Sequence, residues 1–251
     1  MIDLQHEARQ LIAALDLTNL NDDCTPADID ALIARAATPE GAVAAICIWP
    51  RFVAQARAGL PASIRLATVV NFPAGGEDVD ASVAETAQAV ADGADEIDLV
   101  IAWRRVAADP GFIERQVRAV KAAAGSATLK TILETGELAD PDLILSACEA
   151  ALGGGTDFLK TSTGKTAVSA TPEAGRILLQ AIRAHGGTVG FKPSGGIKSF
   201  EDAKLYRDMA TEICGEAYPT PERFRLGASG VLTDLLSVAR GEGRDGAKAG
   251  Y

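Results

Sequence analysis

The feature that most constrains this 251-residue chain is an alternation of short apolar runs with helical patterns, recurring roughly every 30 residues. The apolar runs fall at 13–17, 44–49, 65–72, 94–101, 127–134, 156–161, 188–192 and 224–228. Helical patterns lie between them. One opens at Thr25-Pro-Ala-Asp, with Thr25 as N-cap and Pro26 in the first turn, and others cover 78–92, 113–124, 141–152, 171–184 and 199–214. Alternation of this kind means an α/β fold, and eight is the number of strands that closes a (β/α)8 TIM barrel. An open doubly wound sheet is the alternative. It usually carries a Gly-rich turn after the first strand, whereas here that strand ends Asp16-Leu-Thr-Asn-Leu20. The expected organisation is a single barrel domain over residues 1–240. A Gly-rich, charged tail over 241–251 is expected to be flexible.

Composition removes several classes of function. A formal charge of −10 argues against nucleic-acid or anionic-membrane partners, so an anionic ligand would need a local cluster of donors. Cys24, Cys47, Cys148 and Cys214 are widely spaced, which disfavours a disulfide framework or a zinc knuckle. The two histidines, His6 and His185, are too few and too poorly placed for a His-rich metal site, so no metal is expected. No run reaches the ~18 apolar residues of a membrane span, and Met1-Ile-Asp-Leu-Gln5 lacks the pattern of a signal peptide. The expected location is the cytoplasm.

Charges inside the apolar runs carry the chemistry. Side chains alternate faces along a strand, so Phe158, Lys160 and Ser162 share one face, as do Glu96, Asp98 and Val100. Asp16, Lys130 and Lys192 are embedded in the same way. If these groups converge at the C-terminal mouth of a barrel, burial and neighbouring cations lower each ammonium pKa and free an amine to attack a carbonyl. Carboxylates among them can move protons. A structural salt-bridge network is the competing reading.

Glycine-bearing loops follow the last three runs: Thr163-Gly-Lys165, Ser194-Gly-Gly-Ile-Lys198 and Gly227-Ala-Ser-Gly230. Late loops of this kind commonly hold phosphate in a barrel, with Lys165 and Lys198 as point charges. Thr163-Gly-Lys165 is not a P-loop, because Leu159 stands where the first glycine is required.

Phe158-Leu-Lys-Thr-Ser-Thr-Gly-Lys165 resembles the active-site lysine motif of deoxyribose-phosphate aldolases. In the family's order, so do Leu15-Asp-Leu-Thr18, Ala45-Ile-Cys-Ile-Trp-Pro-Arg51, Thr68-Val-Val-Asn-Phe-Pro73, Gly93-Ala-Asp-Glu-Ile-Asp98, Glu134-Thr-Gly-Glu-Leu138 and Gly190-Phe-Lys-Pro-Ser-Gly-Gly196. The resemblance implies a TIM barrel, no cofactor, and reversible cleavage of deoxyribose 5-phosphate to acetaldehyde and glyceraldehyde 3-phosphate. It implies that Lys160 forms the imine, with Asp98 and Lys192 as the proton donor and acceptor pair. Lys130 and Asp16 become supporting polar groups, and Thr18 and Cys47 line the cavity. Gly164, Lys165, Gly195, Gly196, Gly227 and Ser229 match the phosphate site, and Tyr251 matches a terminal tyrosine that assists proton transfer. A homodimer is expected on the same analogy. Two positions depart from the family pattern: Gly230 stands where a second serine is common, and Lys198 where arginine is common. Both predict a weaker grip on phosphate.

Three rival readings stay open at this level. They are another metal-free, imine-forming aldolase for a different sugar phosphate, a pyridoxal-phosphate enzyme, and a non-catalytic sugar-phosphate sensor.

Overall fold

A computed structural model of the protein describes residues 3–242. Its main sheet has eight parallel strands: β1 Leu15–Asn19, β2 Ala45–Ile48, β3 Arg65–Val70, β4 Glu96–Val100, β5 Thr128–Ile132, β6 Phe158–Lys160, β7 Gly190–Lys192 and β8 Leu226–Ala228. Each pairs with its neighbours in sequence, and β1 also pairs with β8. Backbone bonds from Phe191 N to Arg223 O, Arg225 N to Phe191 O and Gly227 N to Pro193 O join β7 to β8. The sheet therefore closes into a barrel and the doubly wound alternative is excluded.

Nine helices of more than one turn cover the outside among the described residues, α1 Leu4–Ala13, α2 Pro26–Ala36, α3 Val53–Gly59, α4 Val79–Ala91, α5 Pro110–Ala124, α6 Pro141–Gly153, α7 Pro172–His185, α8 Phe200–Cys214 and α9 Val231–Arg240, and a one-turn helix, Thr135–Leu138, follows β5. Local chemistry starts several of them where the sequence says it should. Thr25 with Asp28, and Ser199 with Asp202, form capping boxes, while Thr171 accepts from Ala174 N. Helix α5 begins earlier than expected, because Asp109 caps it and Pro110 occupies its first turn. Three helices were not expected. Helix α1 starts on an Asp3 cap, α3 is too short to declare a period, and α9 follows Gly230, which provides no side-chain cap. Among the described residues, no helix is long and apolar enough to cross a membrane.

Strand alternation sorts the side chains into two environments. Leu15, Leu17, Ile46, Ile48, Leu66, Ile97, Leu99, Leu129, Leu159, Phe191 and Leu226 face outward into the main core beneath the helices. The inward set is divided. Ala45, Cys47, Ala67 and Val69 form a separate apolar cluster with Leu20, against which Trp49 and Phe72 pack. Elsewhere the interior carries a buried charged cluster of Asp16, Glu96, Asp98, Lys130, Lys160, Lys192 and Arg225, with Val100, Ile132 and Phe158 among them. A barrel interior is ordinarily filled by branched apolar residues, so this half of it is committed to something other than stability.

Candidate active site

The charged half of the interior is one continuous network. Strand pairing sets Asp98 beside Lys130 and Lys160 beside Lys192. Lys160 Nζ donates to Asp98 Oδ2 at 2.7 Å, and Lys192 donates to the same oxygen at 2.7 Å. Lys130 donates to Asp98 Oδ1 at 3.1 Å. Asp16 accepts from Lys192 at 2.5 Å and from Arg225 at 2.7 Å, and it forms an ion pair with Lys130 at 3.2 Å. Deeper in the barrel, Glu96 is bonded to Lys130 and receives both terminal nitrogens of Arg225, at 2.9 and 3.2 Å.

Four basic groups, Lys130, Lys160, Lys192 and Arg225, thus face three carboxylates, Asp16, Glu96 and Asp98. Charge balances when one lysine is neutral. Of the three lysines, Lys160 has the fewest carboxylate contacts. Burial is the main cause that lowers its pKa below the ordinary lysine value; Asp98 opposes this and Lys192 adds to it. Burial acts the same way on Lys192, but Asp16 and Asp98 outweigh it and raise the pKa. Lys130 is also raised, because Asp16, Asp98 and Glu96 together overcome its burial. The expectation that convergence lowers all three ammonium pKa values is therefore corrected. Only Lys160, which has a single carboxylate partner, is shifted downward. Asp98 stays well below the usual carboxylate range, since Lys130, Lys160 and Lys192 together exceed the effect of burial.

These assignments predict a pH effect. Lys192→Met removes a cation that depresses the Lys160 pKa, so the acid limb of the rate profile should move to higher pH. A profile that merely drops in height, with no displacement of that limb, would contradict the account.

Glycines make room for these groups. A Cβ at Gly190 would lie 2.3 Å from the Phe158 ring, and one at Gly227 would lie 2.5 Å from Ser194 Oγ and 3.1 Å from Lys192 Cε. The Gly227 amide already donates to Pro193 O, and the Gly195 amide donates to Gly227 O. Gly227 and Gly195 therefore shape the site through close approach, and their amides are committed to the backbone. Gly164 and Gly196 are exposed and have positive φ, and Ser229 is exposed at the end of β8. Lys198 is exposed at the entrance to α8, and its amide donates to Asp202. The Lys165 ammonium reaches across the mouth to Asp22, at 3.0 Å, and lies 5.8 Å from the centre of the Trp49 ring.

Opposite the lysines stands the apolar wall. Thr18 is paired with Cys47 in register, and its hydroxyl donates to Asp16 O at 2.8 Å. Burial, aided by Asp98, pushes the Cys47 thiol up to about 11, so it presents a neutral surface to the cavity. Trp49 meets Phe72 edge-on, with ring centres 5.5 Å apart. Tyr251 lies outside the described residues.

Sequence reasoning passed over two residues of this region. Arg225 lies within the last apolar run, and only closure of the barrel, which brings it to Asp16 on β1 and Glu96 on β4, shows that it points inward. Glu134, buried just past β5, was noticed only as part of a motif; its exposure is 0% and its φ is +56°.

A family model described as DeoC/LacD family aldolase matches residues 10–233. A curated deoxyribose-phosphate aldolase from Agrobacterium fabrum is 55% identical over 244 residues, covering 96% of this chain and 94% of that protein. Among solved structures, a Toxoplasma gondii protein provisionally assigned as a deoxyribose-phosphate aldolase superposes with a TM-score of 0.88 at 29% identity, covering 96% of each chain. A deoxyribose phosphate aldolase from Aeropyrum pernix, described as tetrameric, shares the fold with a TM-score of 0.73 at 23% identity, covering 94% of this chain and 96% of that one.

Proposed function

The chain belongs to the DeoC/LacD aldolase family, and from that premise we propose that it cleaves 2-deoxy-D-ribose 5-phosphate reversibly through an imine on Lys160. The observation that carries this reading is the unequal state of two neighbouring lysines. Lys192 is held as an ammonium between Asp16 and Asp98, while Lys160 has Asp98 alone and is the more easily deprotonated.

In the cleavage direction, neutral Lys160 Nζ attacks C1 of the open-chain sugar, giving a carbinolamine. The C1 hydroxyl leaves as water once it is protonated, and the protonated imine remains. Removal of the C3 hydroxyl proton then breaks the C2–C3 bond. Its electron pair passes into the imine as an enamine, and glyceraldehyde 3-phosphate departs. Protonation at C2 and hydrolysis of the imine release acetaldehyde and restore the amine. Asp98 and Lys192 touch Lys160 or share an oxygen with it, so they are the groups placed to deliver and remove these protons, through an ordered water. Tyr251 is assigned, by resemblance alone, to the proton at C2.

Gly164, Gly196, Ser229, Lys165 and Lys198 surround the mouth on the side of β6 to β8 and would receive the phosphate. Because Lys198 offers a point charge in place of a planar fork, Lys198→Arg is expected to lower KM for deoxyribose 5-phosphate by a few-fold. An unchanged KM would count against the phosphate assignment. A homodimer in the cytoplasm is part of the same proposal.

The direct test is borohydride reduction in the presence of acetaldehyde, followed by peptide mapping, alongside a coupled assay of deoxyribose 5-phosphate cleavage. The label should fall on the peptide carrying Lys160. Faster turnover of fructose phosphates than of deoxyribose 5-phosphate would favour an imine-forming aldolase of different specificity.

A further inference from the structure

We infer that Glu134 is a positioning residue for the substrate's phosphate, acting by locking the turn Thr163-Gly164-Lys165 through the Thr163 hydroxyl. The inference rests on the proposed phosphate site and extends it to a residue outside it.

Glu134 is fully buried at the start of the one-turn helix Thr135–Leu138, in the left-handed conformation with φ 56° and ψ 56°. Its hydrogen-bond partners are neutral. Oε1 accepts from Thr163 N at 3.2 Å and lies 3.3 Å from the Thr166 hydroxyl, which is also 3.1 Å from Val168 O, and Oε2 accepts from the Thr163 hydroxyl at 2.6 Å. A buried carboxylate satisfied only by hydroxyl and amide donors is a costly way to tie two loops together. Its particular property is that it can only accept.

That property sets a direction. Because Glu134 takes the Thr163 proton, the hydroxyl oxygen of Thr163 is left to accept from Lys165 N, at 3.0 Å. The relay closes a tight turn with Gly164 at its apex, exposed and at φ +79°. The turn lies against the other glycine loop, since a Cβ at Gly164 would meet Gly195 Cα at 3.9 Å. Glu134 therefore sets the height and facing of both the Gly164 backbone and the root of the Lys165 side chain, relative to the exposed Gly196. A neutral amide at this position would have to offer N–H groups where the threonine already donates, and the relay would lose its direction.

Glu134→Gln should therefore raise KM for deoxyribose 5-phosphate by about tenfold, and weaken inorganic phosphate binding by a similar factor in calorimetry. Its kcat, and its rate on unphosphorylated 2-deoxyribose, should stay within about twofold of wild type, since the imine network is untouched. Thr163→Val should reproduce the defect, Thr163→Ser should bind phosphate better than Thr163→Val, and the double variant Glu134→Gln/Thr163→Val should be no worse than Thr163→Val. Unchanged phosphate affinity in Glu134→Gln, or an equal fall on phosphorylated and unphosphorylated substrates, overturns the inference. If Glu134→Gln does not fold, Thr163→Val is judged by the same two criteria. If wild type fails to cleave deoxyribose 5-phosphate while Glu134→Gln still weakens phosphate binding, the proposed reaction falls and the role of Glu134 stands.

Discussion

Lys160→Ala is expected to reduce cleavage of deoxyribose 5-phosphate by at least about 10⁴-fold and to abolish borohydride trapping. The size of the effect follows from what the neighbours cannot do. Lys192 is the register partner of Lys160 and faces the same cavity, so on position alone it could take over. It is bonded to two carboxylates, Asp16 at 2.5 Å and Asp98 at 2.7 Å, and these hold its proton. Lys130 has three carboxylate partners and lies deeper. Neither supplies a neutral amine, so losing Lys160 removes the imine and leaves no substitute. The same charge balance predicts that Lys160→Met leaves the fold as stable as wild type or makes it more stable, because three carboxylates then face three permanent cations. Linkage gives the sign of the pH effect. A lysine whose folded pKa is depressed binds fewer protons folded than unfolded, so its cost to stability is present at low pH and fades as pH rises towards the unfolded value. Lys160→Met should therefore flatten that alkaline gain. Retention of activity within tenfold in Lys160→Ala, or a trapped label on Lys192, would overturn the assignment.

Asp98→Ala is expected to cost both activity and stability. Among the described residues, Asp98 is the one carboxylate that touches Lys130, Lys160 and Lys192 together. Its removal leaves four basic groups against Asp16 and Glu96 in a buried site, a loss of about 3–5 kcal/mol by analogy with broken buried pairs. In a chain of this length that lowers Tm by roughly 10 °C. Activity should fall by about 10²–10³-fold, the range of a lost proton-transfer group. The two effects separate cleanly. Without Asp98, the amine of Lys160 loses the interaction that raises its pKa, so nucleophilic attack itself is not what fails. Dehydration of the carbinolamine is. A variant melting within two degrees of wild type, or one whose rate falls less than about fivefold, would remove Asp98 from the centre of the site.

Much of the fold was legible because its signals are local. The strand runs place Asp16, Asp98, Lys130, Lys160 and Lys192 on inward positions by simple alternation, and all five are found there. Caps at Thr25, Thr171 and Ser199 mark helix starts within one turn of chain. The three missed helices lack such marks or are short. Helix α9 is the clearest case, since Gly230 offers no capping side chain and its apolar face is defined only by packing on α1 and α8. Glycine roles were harder to see. Gly227 reads as a phosphate glycine in the string Gly-Ala-Ser, but its amide is bonded to Pro193 and its missing Cβ admits Lys192.

Lys160 divides the two kinds of information. By itself the sequence determines that this lysine sits on an inward strand position, next to a phosphate-type glycine loop and in a chain with too little histidine for the metal route. Those are consequences of period, composition and neighbouring residues. It does not determine which lysine gives up its proton. That depends on how many carboxylate oxygens lie within about 3 Å of each ammonium. Asp16 comes from β1 while Glu96 and Asp98 come from β4, strands far apart in the chain, and Arg225, from just before β8, occupies one side of both Asp16 and Glu96. Only barrel closure brings those charges together, and Coulomb interactions at such separations change steeply with distance. The tertiary structure therefore decides that Lys130 and Lys192 are held more firmly as ammonium ions than Lys160 is.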